Sequence, residues 1–128
     1  MSVPHFRLPL DLPHAGTIAF RIVELLERKY SQREDAELLL AVAQRLHQLL
    51  EPYRKDGENP GDEEGKRVAA DAARLARGIV GYIEKLKIGE DRLGQHIRNL
   101  FECLALGEEG ATISLKAGED PKSPQRPA

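Results

Sequence analysis

The sequence predicts an all-α protein, a four-helix bundle with an extended N-terminal arm. Three observations carry that expectation. Apolar residues recur at helical spacing in four separate stretches, the pattern of one buried stripe per helix. Clusters of Gly, Pro, Asn and Asp lie between the later stretches, and such clusters mark turns. The chain has 128 residues and is 41% hydrophobic, enough to build one domain around one core. The expected division is an arm over 1–13, a bundle over 14–107, an extended segment over 108–117 and a disordered tail over 118–128. Within the bundle, helices are expected at about 15–30, 32–53, 60–87 and 90–106.

The arm shows a period of two. Phe6, Leu8, Leu10 and Leu12 alternate with other residue types, which favours an extended segment. Pro9 and Pro13 push their predecessors toward extended geometry. In the first helix Ala15, Ile18, Ala19, Ile22, Leu25 and Leu26 share a face, with Arg21, Glu24, Glu27 and Arg28 opposite. Phe20 breaks this pattern by projecting among the charged residues.

Ser31-Gln32-Arg33-Glu34 has the form of a capping box, in which Ser and Glu satisfy each other's exposed amides. The second helix then carries Ala36, Leu38, Leu39, Val42, Ala43, Leu46, Leu49, Leu50 and Tyr53. At ~100° per residue these cover an arc of roughly 160°. So wide an arc predicts contact with more than one neighbour and a central position. Asn59-Pro60 suits the start of the third helix, with Asp62 and Glu63 complementing its dipole. Its seam is Val68, Ala72, Leu75, Ile79, Ile83 and Leu86. Gly89 is expected to end it. The fourth helix follows with Leu93, Ile97, Leu100 and Leu104, a short heptad-like seam. Gly107 is expected as its C-terminal glycine.

Beyond it, Thr112-Ile113-Ser114-Leu115-Lys116 alternates again. Either this is one short strand, paired with the arm or with a second subunit, or it is extended coil on the bundle. Coil is favoured, because an isolated strand pair is marginal. The charged, proline-rich end is expected to be disordered. Its Pro121, Pro124 and Pro127 have polyproline spacing, but such ends more often solubilise than bind.

Several function classes are disfavoured. The net charge of −2 argues against a dedicated polyanion binder. One cysteine excludes a disulfide scaffold and a multi-cysteine zinc site. Residues 1–30 show no apolar leader segment. The longest apolar run, Leu38 to Ala43, is far shorter than the ~20 residues that span a bilayer. A soluble, cytoplasmic protein with no membrane contact is expected.

Catalytic and metal chemistry find no support, and no cofactor is expected. Cys103 and His96 lie seven residues apart on one helix, about 10.5 Å along its axis and too far for direct contact. His5, His14, His47 and His96 show no pair at three- or four-residue spacing, which helical metal pairs require. The glycines at 57, 61 and 65 lack a phosphate-loop ending.

Two binding readings remain. Residues 65–98 carry eight basic against four acidic residues. Arg74, Arg77 and Lys85 share one side of the third helix, and Arg92 and Asn99 one side of the fourth. Such residues contact phosphates and base edges, which makes a nucleic-acid-associated protein the alternative. Against it, Lys85 and Gln95 fall where a helix-turn-helix needs packing residues, and stacking aromatics are missing. The favoured expectation is a non-catalytic protein–protein interaction module, an adaptor or regulatory protein that forms a homo-oligomer. Its candidate contact residues are Phe6, Leu8, Leu10 and Phe20, apolar groups whose alternative fate is closure of the monomer.

Overall fold

The computed structural model describes residues 10–88 and 91–113. Phe6, Leu8, Gly89 and the tail from 114 onward lie outside the described residues. Five α-helices run in chain order: α1 (Leu12–Tyr30), α2 (Glu37–Asp56), α3 (Asp62–Leu86), α4 (Asp91–Cys103) and the short α5 (Gly107–Ala111). No strand occurs among the described residues. The architecture is the expected all-α bundle.

Helix α1 starts three residues before its expected position, and its first amides explain why. The Leu12 N–H donates to Asn59 Oδ1 at 2.8 Å. Pro13 has no N–H to satisfy. The His14 N–H donates to the Asp11 carboxylate at 3.1 Å, so Asp11 is the N-cap. Every early donor of the helix therefore has an acceptor or needs none. Leu12 is consequently a fully buried core residue and no part of an arm. The Asp11 N–H also donates to the Cys103 carbonyl at 2.8 Å, which ties the start of α1 to the end of α4.

The expected capping box does not form. Ser31 keeps helical dihedrals (φ −63°, ψ −22°) and its N–H donates to the Glu27 carbonyl. A C-cap that keeps helical dihedrals cannot take the extended geometry that capping the next helix requires. The chain turns instead at Arg33, which is extended and paired with Asp35. One 3-10 turn over Glu34–Ala36 then leads into α2. Helix α2 runs through Pro52 and closes at Gly57, whose φ of 71° suits glycine. Proline costs the bond to the Gln48 carbonyl, but both residues are exposed and water can reach that oxygen.

Asn59 does not cap α3. Its side chain serves α1, and Gly61 precedes α3 without a side-chain cap. Helices α3 and α4 both end in a left-handed residue that is not glycine. Lys87 (φ 59°) and Ala105 (φ 64°) occupy those positions. Behind them the Ile88 and Leu106 N–H groups return to the Ile83 and Phe101 carbonyls, the bond pattern of a Schellman motif. Gly107, expected to end the fourth helix, begins α5 instead. Thr112 caps α5 in a helical conformation, so the alternating segment at 112–116 does not open as a strand. Residues 114–116 lie outside the described residues.

Helix α1 packs on α2 and on α4, α2 also packs on α3, and α5 packs on α4. One apolar cluster joins the four long helices. The expected stripes of α1 and α4 are buried throughout. In α3, Leu75 and Leu86 are only half-buried. In α2, the buried residues are Leu39, Ala43, Leu46 and Leu50. Val42, Leu49 and Tyr53 are half-buried, and Leu38 is 61% exposed. The central position expected for the second helix thus belongs to α1. It buries nine residues against four in α2. Gly16 makes this intimacy with α2 possible, because a Cβ there would sit 2.8 Å from Arg54 Cβ and 2.9 Å from the Leu50 carbonyl oxygen.

Candidate interaction surface

Two large apolar side chains are exposed among the described residues, Phe20 and Leu38. Phe20 is 38% exposed. Its ring lies beside His47, with centroids 5.7 Å apart, and under the Arg54 guanidinium, 5.1 Å from the ring centroid. That cation–π geometry contributes about 0.5–1 kcal/mol at an exposed site. Arg54 is in turn held by Glu51 through bonds of 2.8 and 2.7 Å. The Arg54 partner keeps the Glu51 carboxyl below its ordinary pKa. His47 Nδ1 is buried, accepts no hydrogen bond among the described residues and stands 3.6 Å from Glu51 Oε1. Polar side chains of α2 therefore cover part of Phe20. Leu10 has other neighbours: it is half-buried against the core, and a Cβ on Gly65 would lie 3.0 Å from its Cδ2.

A shallow, open groove lies on the outward side of α2, and Leu38 is exposed in the first turn of the same helix. Glu37, Leu40, Ala41, Gln44, Arg45 and Gln48 line this groove, whose volume is about 390 Å³. On a helix advancing ~100° per residue, this set lies opposite the buried stripe of Leu39, Ala43, Leu46 and Leu50. Gln44 is tied to Glu27 of α1. Glu37 and Arg45 form no ion pair among the described residues.

Several basic residues of α3 and α4 are engaged within the chain. Arg74 pairs with Asp71 one turn away. Arg77 makes a two-pronged contact with Glu109 of α5, one bond measuring 2.8 Å. That guanidinium holds Glu109 below the ordinary carboxyl range. Lys85 and Arg92 are exposed. Asn99 is half-buried and accepts a bond of 3.3 Å from Gln95. Arg98, beside it, donates to the Ile113 carbonyl at 2.8 Å.

Burial pushes the Cys103 thiol up to about 11, with the Asp11 and Glu102 charges adding to the shift. A thiol of that acidity is almost wholly protonated at neutral pH, hence a poor nucleophile. Among the described residues no group of three or more His, Cys, Asp or Glu side chains is placed to hold a metal ion. No described helix is long and apolar enough to cross a membrane.

No family model, curated protein or solved structure matches the chain.

Sequence reasoning found Phe20 but missed Leu38, which it counted in the buried arc. A sharper signal was present. Leu38 lies ~110° from the centre of the stripe formed by Leu39, Ala43, Leu46 and Leu50, at the end of α2 where a neighbour's reach is shortest.

Proposed function

We propose that the protein is a non-catalytic helical interaction module, an adaptor or regulatory protein of the cytoplasm. It acts by presenting the outward face of α2, with Phe20 as a second contact, to a protein partner. The observation that carries this reading is Leu38, 61% exposed in the first turn of α2. A large apolar side chain exposed on a rigid helix gains free energy when another surface covers it. Its removal from water contributes about 1.5–3 kcal/mol when burial is complete. Leu40 and Ala41 add apolar surface in the groove of the same helix. The residues Phe6 and Leu8 belong to the same reading as further contact residues.

The test is co-purification of a tagged chain from its native cell, with and without Leu38→Asp and Phe20→Asp. Loss of association with an unchanged helical circular dichroism spectrum supports the reading. Unchanged association of the double variant overturns it.

A further inference from the structure

From the charge pattern of the α2 groove we infer that its occupant is a second copy of this chain, packed antiparallel across a two-fold axis at Ala41. The inference rests on the reading of α2 as an interaction face and names its partner. Residues 37–45 of α2 precede Pro52 and the carbonyl it leaves free, so their register can be counted at helical spacing. Glu37 lies four residues before Ala41 and Arg45 four residues after it. The two charges are thus about 12 Å apart along the helix at 1.5 Å per residue, centred on the small side chain.

Reversing a second α2 about Ala41 sets Glu37 of each copy opposite Arg45 of the other. The two ion pairs arise together because a two-fold interface repeats every contact. Both charges are exposed and form no ion pair within their own chain among the described residues. Nothing inside the monomer has to be broken to form them. Arg77, by contrast, is already committed to Glu109.

The remaining positions fit the same operation. Ala41 meets Ala41, and its single methyl lets the two backbones approach. Leu38 falls opposite Gln44 and next to Arg45 of the second copy. There the aliphatic stem of that arginine covers the exposed leucine. Leu40 and Gln44 line the other edge. A parallel pairing would set Glu37 against Glu37 and Arg45 against Arg45, and like charges disfavour it.

The test is sedimentation equilibrium of the purified full chain over a range of concentrations. The wild-type chain dimerises. Glu37→Arg and Arg45→Glu each set like charges face to face and weaken association by at least about tenfold. An equimolar mixture of the two variants restores it, since one chain then supplies both arginines and the other both glutamates. Folding loss cannot produce that rescue. A wild-type chain that stays monomeric at every concentration overturns the second copy as occupant, and so does a mixture no tighter than its components. A photo-reactive phenylalanine derivative placed at Gln48, exposed on the same face of α2, in the native cell separates the two readings. A cross-link between copies supports both. A cross-link to a different polypeptide overturns the two-fold pairing and keeps the interaction face, while the absence of any cross-link overturns both.

Discussion

Helices α1 and α2 are neighbours of nearly equal length, 19 and 20 residues, yet they use their apolar side chains differently. Helix α1 has α2 on one side and α4 on the other. Nine of its residues are buried, and the start of the helix is tied down by Asp11 and Asn59. Helix α2 has α1 and α3 as neighbours but only four buried residues, all on one narrow stripe. Of its apolar remainder, Leu38 and Ala41 are exposed, while Leu40, Val42, Leu49 and Tyr53 are half-buried against the core. The difference teaches that hydrophobic content does not rank helices by centrality. The number of side chains that a helix's neighbours cover does.

The largest expected effect breaks the inner side of this comparison. Leu46 is fully buried on the inner stripe of α2. Leu46→Ala should cost about 2–5 kcal/mol, the transfer of the side chain plus the cavity left behind. Leu38→Ala, eight residues earlier on the same helix, should change monomer stability by no more than about 0.5 kcal/mol. Urea denaturation of both variants at low protein concentration checks the contrast. Equal losses would mean that the two sides of α2 are not different surfaces.

A middle-sized effect sharpens the contact between the two helices. A Cβ at Gly16 would meet Arg54 Cβ and the Leu50 carbonyl oxygen at under 3 Å. Neither atom is the free end of a flexible chain, so the helices have to separate. Gly16→Ala is expected to destabilise by about 1–3 kcal/mol, although alanine is the better helix former. Thermal unfolding should show a lower midpoint; a raised midpoint would refute the close approach.

The smallest effect concerns how α1 is anchored. Asn59 Oδ1 accepts the Leu12 N–H across a loop. Asn59→Ala should cost about 1 kcal/mol, the usual value of a cap. Amide hydrogen exchange should quicken at Leu12 and leave the middle of α2 unaffected. If Asn59 instead capped α3, as its place before Pro60 suggests, the faster amides would lie at the start of α3.

Much of the fold was legible in the sequence because periodicity is a local property. The seams of α1 and α4 came out residue by residue, since each is a single stripe facing a single core. Boundaries were less legible. Ser31 and Glu34 satisfy the spacing of a capping box, but Ser31 is the helical C-cap of α1, and only its dihedrals reveal that. Ala105 takes the left-handed position that the sequence seemed to reserve for Gly107. Of the candidate contact residues, Phe20 was readable as an apolar group among charges. Its cover by His47 and Arg54 was not, because those residues lie more than twenty-five positions away in the chain. Leu10 was grouped with the arm by alternation, whereas it packs half-buried against the core.

By itself the sequence determined the all-α class, the four long helices and the apolar stripes of α1 and α4. These follow from residue type and spacing, which act over one or two turns. The tertiary structure alone decided which stripe sits at the centre and which apolar side chains stay wet. It also decided which polar group satisfies which helix end: Asn59 serves α1, and Arg77 serves Glu109. Those choices depend on where the other helices come to rest. Burial is a relation between surfaces, and a single stretch of chain carries only one of them.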